Sequence, residues 1–552
     1  MAKLLIIGSV AAGTSVGAKA RRNSEDLEIT IYDRDEDISY SGCGIPYFVG
    51  GEVAELDELT PRDAAFFKKR YNIDVKTRHN VEAIDHETKT ATIRHLDSGE
   101  TFTDTYDTLV FATGASSIIP PLPGVDLENV FPVRNIRNAE AIRRYVDAQA
   151  PKRAVIVGGG FIGLEMAEQL TYRGIEVTLV ERLTQVMPPL DVDMAKRVSD
   201  HLEANGVILR LGESVASFEG EKTARTVVLA SGETIETDLV ILSVGVKPNT
   251  QLAQEIGVTI GQTGAIAVNR QMQTNIEGVY AVGDVAESFS LITGQPLYRP
   301  LGSTANKMGR IAGMVITGEA IEHRGILGTG IFKAFDLTVA QTGLTEKEAR
   351  DAGYDIEVLH NIKPDRPEYL GGKEMVIKAI ADRNDGRVLG AQIVGPQGVD
   401  KRIDVLATAI SFKAKAEDLF HLDLAYAPPF STTKDPILYT GMALDNAIKQ
   451  NARLKTPNAL MEEVAAGNVF QIIDTRSRAQ FEKSHVDGAI HIPLGELRER
   501  AQELDPTVPT IVYCNKGVTG NAAQNVLKNL GFRDVCNLSG GNQNYQHIKS
   551  CL

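Results

Sequence analysis

Short apolar runs punctuated by glycine turns recur along this chain. KLLII at 3–7, LEITIY at 27–32, TLVF at 108–111, AVIV at 154–157, EVTLV at 176–180, VYAV at 279–282 and IVY at 511–513 are the clearest. Unbroken apolar character over so few residues predicts strands buried on both faces, as in parallel sheets. Helix-period segments follow several of them: residues 12–22, LEMAEQLTYRG at 164–174 and NAAQNVLKNLGF at 521–532. Strand, turn and helix in that alternation predict α/β domains. Residues 325–445 read instead as mixed α+β, and the polar stretch DNAIKQNARLKTPN reads as a linker.

At 552 residues the chain exceeds one hydrophobic core, and roughly three to five domains are expected. With 43% apolar and 24% charged residues, the composition is that of a globular protein. No apolar run approaches the roughly 18–20 residues of a membrane span, so no membrane partner is expected. The N-terminal MAKLLIIGSVAAGTS has the lysine and apolar run of a leader peptide, but a strand–turn–helix begins inside it. We therefore read a first buried strand there and expect a cytoplasmic protein. A net charge of −14 argues against nucleic acid as the main ligand. Four cysteines (Cys43, Cys514, Cys536 and Cys551) form no C-x-x-C pair and no disulfide framework, and no metal site is expected.

The most specific pattern is Gly158-Gly159-Gly160-Phe161-Ile162-Gly163 between a strand and a helix, with Glu181 closing the next strand. This is G-x-G-x-x-G in the context that dinucleotide binding requires. Gly158 makes the tight turn, Gly160 lets backbone approach a pyrophosphate, and Gly163 lets helix and strand pack closely. Glu181 is placed to bind ribose hydroxyls and repel a 2′-phosphate, which favours NADH over NADPH; Arg182 beside it weakens that preference. A second copy opens the chain: Gly8-Ser9-Val10-Ala11-Ala12-Gly13, then a strand ending at Asp33 and Arg34, with Val10 where a middle glycine would stand. Ala112-Thr113-Gly114, Val244-Gly245 and Gly283-Asp284 are further small-residue turns at strand ends.

In that order these motifs resemble the pyridine nucleotide–disulfide reductase superfamily over residues 1 to about 445. The resemblance implies Rossmann-like FAD- and NAD-binding domains and an α+β dimerisation domain. It places Gly8, Gly13, Asp33 and Arg34 on the ADP half of FAD, Ala112, Thr113, Gly114 and Gly245 at the cofactor turns, and Asp284 on the ribityl chain. The helix near Ser303-Thr304-Ala305 would point at the flavin, and Phe161 and Glu165 would lie near the nicotinamide–flavin contact.

The sequence after Asp33 carries one cysteine, Cys43, between Gly42 and Gly44. The glutathione reductase branch has two cysteines here. A lone redox sulfur must cycle through a sulfenic acid, or through a mixed disulfide or persulfide with an external thiol. NADH oxidases and peroxidases carry a histidine in the first glycine turn, where this chain has Ala11. The context Ser39-Tyr40-Ser41-Gly42-Cys43-Gly44-Ile45-Pro46-Tyr47 is most similar to coenzyme A disulfide and CoA-persulfide reductases, although Gly42 stands where some members have Asn. In those enzymes two tyrosines reach the cysteine from the partner subunit of a homodimer; Tyr426 matches one, and Tyr369 more weakly the other. CoA phosphates need cations; Arg21 and Arg22 ending the first helix, with Arg62 and Lys69 on a basic helix at 61–70, are the candidates, Ser39 lying near them.

At the C-terminus, Asp474, Arg476, Phe481, His485, Gly488, Ala489, Ile492 and Pro493 follow a spacing characteristic of rhodanese domains. The loop Cys514-Asn515-Lys516-Gly517-Val518-Thr519-Gly520 lies between a strand and a helix N-terminus, where N–H donors stabilise a thiolate or persulfide. Its length is that of sulfurtransferases, Lys516 adds charge at its mouth, and Thr519 replaces an arginine common in single-domain members. Cys536 reads as core and Cys551 as a tail thiol. The expected organisation is FAD-binding over 1–150 and 241–322, NAD-binding over 151–240, dimerisation over 323–445, a linker at 446–458 and an α/β rhodanese-like domain over 459–552. The expected activity is NADH-dependent, FAD-mediated reduction of CoA persulfide or polysulfide, with CoA disulfide as a further candidate substrate, through Cys43, coupled to a sulfur-carrying Cys514 and releasing hydrogen sulfide. An NADH oxidase or peroxidase and a redox-sensing sulfur carrier are the alternatives.

Overall fold

A computed structural model describes residues 2–449 and 452–550, so Cys551 lies outside the described residues. The chain forms two compact units, one of residues up to Thr184 with Gly206–Ile326, the other of Gln185–Asn205 with the chain from Leu327 onward.

The first unit holds two five-stranded parallel sheets. In one, Lys3–Ile7 is central, flanked by Glu28–Tyr32 and Asp74–Lys76 on one side and by Thr108–Phe111 and Val279–Ala281 on the other. Leu4, Leu5, Ile6, Ile29, Ile31, Leu109, Val110 and Phe111 are fully buried, which explains their unbroken apolar runs. In the other sheet, Arg153–Val157 is central between Glu176–Glu181 and Leu239–Leu242, with Ile208–Leu211 and Val130–Pro132 outside. Both sheets bring their glycine turns to the carboxyl ends of central strands, where α/β sheets bind ligands.

The second unit contains an antiparallel sheet ordered Gly330–Ala334, Leu337–Gly343, Val388–Gly395, Glu374–Asp382 and Ile356–Pro364. It also contains a parallel sheet ordered Leu454–Lys455, Val535–Leu538, Thr510–Tyr513, Gln471–Asp474 and Ile490–His491. The α/β fold class with an α+β segment is thus confirmed. Two details differ from the sequence reading. Helix Val192–Ala204, within the stretch assigned to NAD binding, groups with the second unit. The linker is shorter than 446–458: helix Pro436–Lys449 enters it from one side, and Leu454–Lys455 pairs into the terminal sheet from the other. Composition alone read those polar residues as loop, whereas pairing with Asn537 and Leu538 makes two of them strand. Among the described residues no helix is long and apolar enough to cross a membrane.

Candidate active site

The two glycine turns share one construction. Gly8 and Gly158 adopt φ of +92° and +107°, and a Cβ on either would lie 2.3–2.4 Å from a carbonyl oxygen, of Ala112 or Ser243. A Cβ on Gly13 or Gly163 would lie 2.0 Å from the carbonyl oxygen of Gly8 or Gly158. The acids act alike too. Asp33 Oδ2 accepts the Ser9 N–H at 2.9 Å, and Glu181 Oε2 accepts the Gly159 N–H at 2.7 Å. Each acid therefore pins the residue after the first glycine. The middle positions differ: Gly160 has open space on its Cβ side, whereas Val10 sits at φ +33°, a strained conformation for a β-branched residue.

Helices Ala12–Asn23 and Phe161–Tyr172 begin at these turns and helix Gly302–Ile316 after Leu301, and none of their N-caps (Ala11, Gly160, Leu301) supplies a side-chain acceptor. Such N-termini suit anionic phosphates. Ala305 is buried against Gly283, where a Cβ would sit 2.8 Å from the Ala12 side chain, so two helix starts and the Gly283-Asp284 turn converge. Thr113 Oγ1 donates to Asn249 O, Asn249 Nδ2 donates back to Thr113 O, each at 2.8 Å, and Ile118 N–H donates to Gly245 O at 3.0 Å. These bonds tie the 112–114 and 244–245 turns together. The donor set and close backbone approaches fit two dinucleotides.

Cys43 lies on the short 3-10 turn Gly42–Gly44, preceding helix Ile45–Gly50. The residue is open to solvent, yet desolvation of the sulfur is the main influence raising its thiol pKa; the Glu165 and Asp284 carboxylates add to it and Arg134 opposes it. Burial pushes Glu165 up to about 7, against a 3.4 Å hydrogen bond from Tyr47 Oη and with help from Glu168. Arg134 Nη2 pairs with Asp284 Oδ2 at 2.9 Å and its Nε donates to Ala115 O. The site is thus a raised thiol and a carboxyl titrating near neutrality within electrostatic range of each other. Sequence reasoning missed Arg134, which no motif marks; it pairs with Asp284, 150 positions further along the chain.

Among the candidate phosphate cations, Arg22 and Arg70 lie over the Tyr71 ring at 5.5 and 5.7 Å, and Arg62 over Phe66 at 5.7 Å. Phe66 and Tyr71 pack edge to face on helix Ala64–Tyr71, so these arginines share one aromatic platform. Arg70 was missed, and Lys69 and Arg34 are exposed while Ser39 is half-buried. Arg21 is corrected: it is 4% exposed, and its guanidinium donates to the carbonyls of Tyr71, Asn72, Ser24 and Glu25. It staples the helix end and has no face left for a ligand. In the second unit Tyr426 and Tyr369 are 49% and 77% exposed, and Tyr426 Oη accepts a hydrogen bond from Thr433 at 3.2 Å.

Cys514 directly follows strand Thr510–Tyr513, and helix Val518–Asn529 starts four residues on. It is 5% exposed, and Gly517 N–H donates to its sulfur at 3.1 Å. Gly517 takes φ +97° to turn that N–H inward, and Asn537 holds its carbonyl at 2.9 Å. Gly520 packs on Asn537, and Asn542 N–H and Gln543 N–H hold the carbonyls of Cys514 and Asn515. Val518 and Thr519 are exposed. Lys516 does not stand free at the mouth as expected; it is ion-paired with Glu374. Buried Asp474 and Arg476 form a bidentate pair behind the neighbouring strand. Cys536 is buried, and burial pushes its thiol up to about 11.

Two glycine-turn cradles suited to dinucleotides, a cysteine on a short turn before a helix and a second cysteine in a strand–helix loop are the architecture of a flavoprotein oxidoreductase fused to a rhodanese-like module. Family comparison agrees in each part: residues 2–305 match the pyridine nucleotide-disulphide oxidoreductase family, 330–436 its dimerisation domain, and 456–548 the rhodanese-like domain. The chain belongs to the pyridine nucleotide-disulphide oxidoreductases and is an enzyme of that class. It is 39% identical to an NAD(P)H sulfur oxidoreductase (CoA-dependent) of Pyrococcus abyssi over 443 residues, 80% of this chain and 98% of that one. It is similar throughout to the crystal structure of reduced Bacillus anthracis CoADR-RHD, with 37% identity, a TM-score of 0.95, and 99% and 98% of the two chains covered. An NAD-dependent persulfide reductase from A. fulgidus is also 37% identical, with a TM-score of 0.89 over 98% of this chain and all of that one.

Proposed function

We propose that this enzyme reduces coenzyme A persulfide with NADH as electron source, releasing hydrogen sulfide, and that Cys514 carries sulfane sulfur to or from that reaction. The observation that carries the reading is the lone Cys43 sulfur within electrostatic range of Glu165, whose carboxyl titrates near 7, with no second cysteine in its sequence neighbourhood. The fused rhodanese loop favours a persulfide over plain CoA disulfide, whose reduction has no use for it. The names of the similar proteins support both halves.

Gly8, Gly13, Asp33 and Asp284 would hold FAD, and Gly158, Gly160, Gly163 and Glu181 the nicotinamide nucleotide. When bound, FAD supplies the two-electron relay between nicotinamide and the Cys43 sulfur. Glu165 takes the Cys43 proton, and the thiolate attacks the inner sulfur of CoA-S-SH. The S–S bond breaks, sulfide leaves with the electron pair, and a Cys43–CoA mixed disulfide remains. Two electrons originating in NADH cleave that disulfide to the Cys43 thiolate and CoA thiol, so that NADH, H⁺ and CoA-S-SH yield NAD⁺, CoA-SH and H₂S. Arg22 and Arg62 bind CoA phosphates, and Tyr426 of a second copy donates a proton to the leaving group, which makes the enzyme a homodimer.

Steady-state NADH oxidation tests this. Turnover with CoA persulfide is expected, and Cys43→Ser should abolish it while NADH still bleaches the flavin absorbance. Turnover of CoA disulfide far faster than of any persulfide would overturn the substrate assignment.

A further inference from the structure

The Cys514 loop is completed by strands outside the rhodanese-like domain. Ile356–Pro364 is the edge strand of the antiparallel sheet, and its neighbour Glu374–Asp382 pairs with it in the register Lys363↔Met375 and Pro364↔Glu374. The two strands meet the terminal domain at several points. Glu374 pairs with Lys516 and accepts from Gln543 Nε2 at 3.2 Å. Ser539 Oγ accepts the His360 N–H at 2.7 Å, and Glu357 Oε1 accepts the Leu454 N–H at 2.9 Å.

Lys363 stands diagonal to Glu374 on this pair of strands. Its ammonium rests 4.0 Å above the centroid of the Tyr439 ring, with Lys434 over the same ring at 5.9 Å. Among the described residues no carboxylate forms an ion pair with it, whereas the loop's own cation, Lys516, is spent on Glu374. Burial lowers the pKa of Lys363, as does repulsion from Lys516, while Cys514 and Glu374 act the other way; the amine is thus within electrostatic range of the sulfur. A half-buried cation without a counter-ion creates a local field that favours anions.

We propose that Lys363 selects anionic sulfur donors for Cys514, supplying from the dimerisation domain the uncompensated positive charge that the rhodanese loop lacks. The inference rests on Cys514 as a sulfur carrier. With thiosulfate the step is redox-neutral: the Cys514 thiolate attacks the outer sulfur, the S–S bond to the sulfonate breaks, and sulfite leaves with the electron pair, giving a Cys514 persulfide anion. A hydrogen polysulfide donates in the same way, leaving a chain one sulfur shorter. Lys363 touches neither reacting bond; it offsets the repulsion between two anions as they meet and stabilises the persulfide charge.

Two measurements on the full-length holoenzyme test this. One is sulfur transfer from thiosulfate to cyanide. The other is the rate ratio of Cys514 alkylation by iodoacetate over iodoacetamide, a charged and an uncharged reagent of nearly equal size, followed by peptide mass. Lys363→Met should lower both the transfer rate and the ratio about tenfold, with the change shrinking at high salt, and Lys363→Arg should restore them. An unchanged ratio in Lys363→Met, or an arginine variant as impaired as the methionine one, overturns the proposal. A wild-type enzyme that moves no sulfur from thiosulfate or polysulfide removes the carrier reading instead, and the alkylation ratio then decides the role of Lys363 by itself.

Discussion

Glu165 carries two opposed demands. Burial favours its neutral form, and Tyr47 partly offsets that with a hydrogen bond to the carboxylate. The resulting value of about 7 places it where a base for the Cys43 proton is most effective. In the proposed role of base, it should make turnover rise with pH through about 7. Its effect on stability runs the other way: a raised carboxyl pKa means that stability is full below the unfolded value and is lost as pH climbs through the folded one. Glu165→Gln should therefore flatten the pH–kcat profile and lower kcat about a hundredfold. It should also stabilise the first unit above pH 7 by at most about 2–3 kcal/mol, with no gain at pH 4. Parallel kinetic and thermal-unfolding series check both signs, and a variant that loses stability together with activity would show a merely structural role. Glu165 was readable from sequence because it follows a specific glycine motif. Its proton chemistry was not, since that depends on Tyr47 and Glu168 and on burial. Arg21 failed for a related reason: beside Arg22 it looked equivalent, and only the carbonyls of Tyr71 and Asn72 distinguish a staple from a ligand cation.

Between elements, the most heavily charged junction of the second unit is a buried knot. Lys378 on strand Glu374–Asp382 is 2% exposed and donates to Asp193 at 2.9 Å, with Asp191 at 3.1 Å and Glu346 at 2.9 Å. Asp193 also pairs with His360, whose other ring nitrogen meets Ser539 Oγ at 3.0 Å. Helix Val192–Ala204, the antiparallel sheet and the Val535–Leu538 end of the terminal sheet thus share one network. Burial alone would lower the Lys378 pKa, but the three carboxylates raise it; burial would raise Asp193, but Lys378 and His360 hold it well below the usual range. Removing the lysine leaves uncompensated buried carboxylates, a loss of about 3–5 kcal/mol. Lys378→Met should accelerate amide exchange in strand Glu374–Asp382 accordingly. Because Asp193 is depressed, its contribution is present above its unfolded pKa of about 4 and lost as pH falls further, so variant and wild type should converge in acid. Equal exchange at pH 7 would count against the knot. Strands and helices were largely readable from apolar runs, but this junction was not: its members lie up to 348 positions apart, and no local pattern marks a charge that burial will turn inward.

Over the whole molecule, the proposed function combines chemistry that spends electrons with chemistry that does not. In the proposed scheme, reduction at Cys43 consumes one NADH for each persulfide cleaved, whereas transfer through Cys514 moves sulfur with no change in electron count. If CoA links them, the rhodanese-like loop loads sulfane sulfur onto CoA thiol and the flavoprotein part reduces the persulfide formed. The shared substrate then needs no direct contact between the two cysteines. The requirements of each half follow from this order. With thiosulfate as donor and CoA at catalytic concentration, Cys514→Ala should depress NADH oxidation about a hundredfold or more, the scale of losing a nucleophile. Supplying preformed CoA persulfide should restore it, because that substrate enters after the missing step. Cys43→Ser should abolish NADH oxidation with either substrate, and adding Cys514→Ala to it should change nothing further. Stopped-flow loading and steady-state NADH consumption separate these cases. Should Cys514→Ala be equally inactive with preformed CoA persulfide, Cys514 would have to act in the reductive step itself, and a linear order of transfer followed by reduction would be wrong.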